Sequence, residues 1–188
     1  MVKKLLGMAL LIMVTSCTSI VSKHPIGNLA KRADTMDFNG VWAVDDKVYM
    51  VSHAEDGTFT LGFISFNDDV KGFDVQNREG MVCNYEGIKY LNVKSDKVMD
   101  EGTEDGFFLL KYNKMDDDHV LLSFIDSVKL ENLIEQGIVK GEVDSKKNLY
   151  IDVDSVEIAE LAEKYDLFEK EDVGLLRRIH SKVSKMIE

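Results

Sequence analysis

The 188-residue sequence predicts an α+β domain, mainly an antiparallel β meander arranged as a barrel or a sandwich, with two or three helices in its C-terminal part. Three observations predict it. Between Phe38 and Ile125, short apolar-alternating runs recur at spacings of about ten residues, the pattern of half-buried strands joined by tight turns. The stretches between them are rich in Asp, Asn, Gly and Ser, the residues that turns select. After Ile125 apolar residues recur every three or four positions, which is the helical period.

The chain opens with Lys3-Lys4, an apolar run from Leu5 to Val14, and Thr15-Ser16-Cys17. A short positive region, an apolar segment and a small-residue exit form the secretory pattern. The run is too short to cross a bilayer, which takes roughly 20 residues. Residues 1–16 read as a signal peptide and residues 17–37 as a tether, with little periodicity around His24-Pro25 and Gly27-Asn28. Residues 38–188 read as a single globular domain.

Within that domain Gly40 to Val44 and Val48 to Val51 form the first two strands, and Glu55-Asp56-Gly57 turns the chain into Thr58 to Phe66. Asp-Gly between apolar-alternating runs is a strong hairpin signal. Strands follow at 72–75, 81–85, 88–93, 107–112 and 120–125, with Asn77, Gly80, Gly87 and Asp116-Asp117-Asp118 in the turns. Asp126 or Ser127 caps a helix through Val128, Leu130, Leu133 and Ile134 that Gly137 ends. Two strands at 138–143 and 149–153 precede Asp154-Ser155-Val156-Glu157, a capping-box pattern that opens a second helix. Leu176, Ile179, Val183 and Met186 form one apolar stripe if the last segment is helical, with Arg177, Arg178, Lys182 and Lys185 around it. Strand and helix both remain open for residues 173–179.

Removing residues 1–16 takes away Lys3 and Lys4 and no acid. The mature chain then has 21 basic against 34 acidic residues, a net charge of −13. That argues against a nucleic-acid partner, which needs clustered basic residues. The cysteines are Cys17 and Cys83. With Cys17 modified, Cys83 has no partner for a disulfide, and its place in Met81 to Tyr85 suggests a buried, inert thiol. His24, His53, His119 and His180 have no second ligand at zinc spacing, and the acid-rich turns miss the calcium-loop register. No nucleophile-elbow or phosphate-loop motif is present, so no catalytic residue, metal site or cofactor is expected.

Val14-Thr15-Ser16-Cys17 resembles the bacterial lipobox, in which the thiol receives a diacylglycerol and cleavage precedes the cysteine. The resemblance implies lipidation at Cys17 and attachment to membrane lipid in the bacterial envelope. Thr18 in place of aspartate favours the outer membrane over the inner. Gly40-Val41-Trp42 resembles the first strand of lipocalins, where the glycine permits a tight approach and the tryptophan closes the barrel floor. The layout through Leu121 to Asp126 and Ser155 to Phe168 is similar to small bacterial lipoproteins that have no assigned activity. The expectation is a non-enzymatic envelope lipoprotein that binds a protein partner, in an accessory or immunity-type role. A calycin-like barrel carrying a lipid or apolar ligand around Gly40 and Trp42 is the first alternative, and an envelope hydrolase the second.

Overall fold

Alternation along the strands sets the architecture, because each buries one face and leaves the other to solvent or to a second layer. The computed structural model describes residues 19–30, 38–44, 47–54, 56–67, 71–95 and 105–179. Two short strands, β1 (Ile20–Ser22) and β2 (Asn28–Leu29), come first. A meander follows: β3 (Gly40–Val44), β4 (Lys47–His53), β5 (Thr58–Asn67), β6 (Gly72–Tyr85), β7 (Ile88–Ser95), β8 (Gly106–Lys114) and β9 (His119–Ile125). Then come α1 (Ser127–Glu135), β10 (Gly141–Val143), β11 (Leu149–Ile151), α2 (Ser155–Lys164) and β12 (Phe168–Arg178).

Strands β3 to β9 pair antiparallel in sequence order, and β12 inserts between β9 and β3. The ring of β3, β4, β5, β6, β7, β8, β9 and β12 is therefore closed. Of the two arrangements the sequence allows, the domain is the barrel. An eight-stranded ring is just wide enough for side chains to fill. The cross-strand register decides which side chains enter it. Trp42 faces Tyr49, Tyr49 faces Phe63, Phe63 faces Gln76, and the buried rings fix this set as inward. Val82, Leu91, Leu110, Leu122 and Leu176 belong to the same interior cluster.

The outward face of β7, β8 and β9 carries a second core. Tyr90, Leu109 and Ile125 pack there with Leu130 and Leu133 of α1, Ile158 and Ala162 of α2, and Leu149 and Ile151 of β11. Both helices are capped as the sequence indicates. Asp126 accepts from Lys129 N at 2.9 Å, and Asp154 accepts from Val156 N and Glu157 N, each at 2.9 Å. Gly137 ends α1 at φ +68°, a conformation that glycine adopts without strain.

Three sequence readings change. First, residues 19–30, read as part of a tether, belong to the sheet: β1 pairs parallel with β11 and antiparallel with β8, and β2 pairs with β6. Asn92, fully buried on the outer face of β7, accepts from Ile26 N at 2.7 Å and donates to Ile26 O at 3.3 Å. That amide satisfies both backbone groups of Ile26, in an irregular segment that Lys23 N, Gly27 N and Ala30 N also tie to the domain. Cys17 and residues 31–37 lie outside the described residues.

Second, Asn77 and Gly80 are not turn residues, because β6 runs unbroken across them and pairs with β5 from Gly72 to Met81. Third, the C-terminal stripe is not a third helix over the described residues. Leu176 faces the lumen while Leu175 and Arg177 face out, a period of two. The gap between β9 and β3 supplies hydrogen-bond partners on both sides, and this pairing decides the segment. Residues 180–188, with Val183 and Met186, lie outside the described residues.

Candidate ligand-binding cup

Antiparallel registers divide the lumen into two ends. One end gathers the start of β3, the end of β4, the starts of β5, β7 and β9, and the ends of β6, β8 and β12. This end is sealed. Phe38, just before β3, lies 5.6 Å from the Trp42 ring, 6.3 Å from Phe59 and 5.9 Å from Tyr112. Phe59 is two strands from β3 in one direction, and Tyr112 is three strands away in the other. A ring that touches both stands across the middle of the barrel.

Trp42 is fully buried, and its Nε1–H donates to Phe38 O at 2.8 Å, so the indole fixes the plug as well as filling the floor. The Arg178 guanidinium covers the other face of this corner, 4.5 Å from the Trp42 ring centre, within cation–π range. Gly40 lies beside it, in a backbone conformation that favours glycine. At φ +131° its missing Cβ would stand 3.4 Å from Arg178 Nη1. An arginine from the last strand thus lies against the corner that the Gly-x-Trp triplet marks, at ordinary contact distance. Arg178 carried no signal in the sequence, because its inward direction depends on β12 being a strand.

The opposite end differs in chemistry. Val44, Leu61, Phe63 and Phe124 face the lumen yet are only partly buried. Phe63 lies 6.1 Å from the Tyr49 ring, and deeper in the cup Phe108 is buried beneath the Arg78 guanidinium at 5.7 Å. Gln76 and Arg78 bring polar groups onto the same inward face through their pairing with Phe63 and Leu61. Outside this mouth, between β1, β6, β7 and β8, a cavity of about 530 Å³ is lined by Lys23, Arg78, Glu79, Lys94, Asp105 and Phe107 among others. Arg78 belongs both to the inward face and to this cavity. The sequence did not single out Phe38, Phe63 or Arg78, since only the register shows which way each points.

The other candidate residues are dispersed. His53 faces the lumen beside Phe59, 5.7 Å ring to ring, and neither of its buried ring nitrogens has a hydrogen-bond partner among the described residues. His119 lies outside on the β8–β9 turn, with Nδ1 2.9 Å from Asp116 Oδ1. Neither is joined to both an acid and a hydroxyl among the described residues. Burial pushes the Cys83 thiol up to about 11, which keeps it protonated and unreactive near neutral pH. Among the described residues no group of three or more His, Cys, Asp or Glu side chains is placed to hold a metal ion. No helix among them is long and apolar enough to cross a membrane.

Burial also holds the His53 imidazole below its ordinary value of 6.5. The folded protein then binds that proton less readily than the unfolded chain. Stability from this residue is full above pH 6.5 and is lost as pH falls toward the lowered folded value. Chemical denaturation at pH 7.5 and pH 5 should therefore show a loss of stability that His53→Phe reduces. Equal pH dependence in the two proteins would show that other groups control it.

Fold and site together define an antiparallel eight-stranded β-barrel, sealed at one end by an aromatic plug under an arginine and lined at the other by partly exposed apolar side chains. Comparison of the chain with protein-family models, with curated proteins and with solved structures found no match.

Proposed function

We propose that the protein is a non-enzymatic binding module of the bacterial envelope, lipid-anchored through Cys17, whose barrel takes an apolar small molecule or lipid at the end opposite the aromatic plug, in the manner of a calycin. The observation that carries this reading is the asymmetry of the lumen. One end is closed by Phe38, Trp42 and Arg178, while Val44, Leu61, Phe63 and Phe124 at the other are only partly buried. Apolar side chains left partly in contact with water gain from covering by an apolar ligand, at roughly 25 cal/mol per Å². The lipobox-like sequence before Cys17 supports the anchor, and Thr18 supports the outer membrane.

Titration with the uncharged fluorescent probe N-phenyl-1-naphthylamine tests the cup. Saturable one-to-one binding is expected, weakened several-fold by Leu61→Trp, which fills the mouth, with the thermal midpoint little changed. Absence of saturable binding would remove the reading. Radiolabelled palmitate tests the anchor: incorporation should be lost in Cys17→Ser. The second reading, a protein partner of basic character, draws on the net charge of −13 of the mature chain, since a strongly acidic domain can mask a basic surface. Crosslinked capture from native envelopes would separate the two by returning a protein or a lipid.

A further inference from the structure

We infer that His53 is a pH-sensitive latch on the aromatic plug, whose protonation loosens the Phe38 end of the barrel while the strands stay paired. His53 closes β4 and stands at the level of the plug, since it and Phe38 each lie two residues outward from the Gly40–Val51 pair. Its ring lies 5.7 Å from Phe59, which in turn lies 6.3 Å from Phe38. Both imidazole nitrogens are shut off from solvent, and neither has a hydrogen-bond partner among the described residues. A neutral ring leaves one donor and one acceptor unmet there. An imidazolium has two donors and a charge, and needs acceptors that the site does not supply.

The charged groups facing the plug add no compensation. Arg178 of β12 lies over the Trp42 ring at 4.5 Å, and Lys89 of β7 over the Tyr112 ring at 5.7 Å. Both are cations, so a charged His53 would add a third positive charge at this end. β5 and β6 bring Phe59 and Gly80, and the remaining titratable side chains in the interior cluster are Tyr49 and Tyr112. Asp56, in the β4–β5 turn, gives Oδ1 to Thr58 N and Thr58 Oγ1 at 2.9 and 2.6 Å. Across the same end, Asp116 and Asp117 are held by His119 and Lys114. Asp37 and Glu55 lie outside the described residues.

Release is local because His53 is the last residue of its strand and Ala54 beside it is exposed. Opening a strand end exposes far less core than unfolding the barrel. Burial holds the imidazole below 6.5 while the latch is closed, and opening restores the ordinary value. The closed form is therefore fully favoured above pH 6.5 and loses ground as pH falls toward the lowered value. By pH 5 the open share gains up to about thirtyfold, the ratio of proton binding by the two forms.

Trp42 is the only tryptophan of the chain and its indole N–H is bonded to Phe38 O, so its fluorescence reports the plug. Acrylamide quenching of the full chain from pH 7.5 to 4.5, with far-UV circular dichroism on the same samples, tests the latch. The quenching constant should at least double, with a midpoint below pH 6.5, while the β signal stays constant. His53→Phe and His53→Gln should each abolish the rise; they differ in size and polarity, so one decides if the other does not fold. Asp37→Asn and Glu55→Gln should leave it in place. A quenching constant that stays flat in the parent, or rises equally without His53, would overturn the inference. So would a rise that disappears with either carboxylate, or one that comes with loss of the β signal, since the first is an ion pair and the second is unfolding of the whole barrel.

Discussion

Gly80→Ala is expected to lower the free energy of unfolding by about 3 kcal/mol, the upper end of what overpacking a core costs. Gly80 faces the lumen opposite Phe59, and the end of that ring lies against it. A Cβ there would stand 2.6 Å from Asn92 O and 2.8 Å from Phe59 Cε2. The ring could turn aside, but Asn92 O is backbone of β7, the neighbouring strand, and cannot. Asn92 also holds Ile26, so a shift of β7 would loosen the N-terminal segment as well. A double-mutant cycle with Phe59→Ala checks the cause. If the ring supplies half or more of the clash, the double variant is clearly more stable than the sum of the single losses. Strict additivity would assign the whole cost to the backbone contact.

Trp42→Ala is expected to cost about 3–5 kcal/mol, as for other large aromatic truncations in cores, and to lower the thermal midpoint by roughly 10 °C. The change empties the barrel floor, takes the stacking partner from Phe38 and leaves Phe38 O without the indole donor. It also removes the ring beneath Arg178. Trp42→Phe separates these effects, since it keeps an aromatic ring and loses only the donor and some volume. A loss of about 1–2 kcal/mol is expected there, the size of one buried hydrogen bond with modest repacking. Denaturant unfolding followed by circular dichroism measures both, because the variants lack the tryptophan whose fluorescence would report it. An alanine variant as stable as the parent would show that the floor is not a structural seal.

The barrel strands were legible because their alternation and their turns agree. Asp56 and Gly57 do in the structure what an Asp-Gly hairpin requires, with Asp56 Oδ1 accepting from Thr58 N at 2.9 Å and Gly57 at φ +87°. The helix caps were legible for the same local reason. Interactions distant in sequence were not. β1 and β2 show no alternation, and what fixes them is the side-chain amides of Asn92 and Asn148 with pairing to β11 and β6. The middle of β6, from Gln76 to Gly80, reads as a polar break and persists as strand because β5 pairs along it.

Leu176 and Ile179 share a helical spacing that a two-sided strand partnership overrides. The site divides along the same line. Gly40 and Trp42 form a short local word, whereas Phe38, Arg78 and Arg178 owe their places to register around a closed ring.

The weaving of residues 19–30 into the sheet changes what an anchor at Cys17 would do. Ser19 N donates to Asn148 Oδ1 at 3.0 Å, and Leu149 N donates to Ser19 O at 2.8 Å. One residue, Thr18, separates this fixed point from the cysteine, a reach of roughly 7 Å. A flexible spacer of the length that the sequence suggested would allow about 25 Å. On the proposed anchor the barrel is therefore bolted to the bilayer by its β1–β11 flank instead of swinging on a leash.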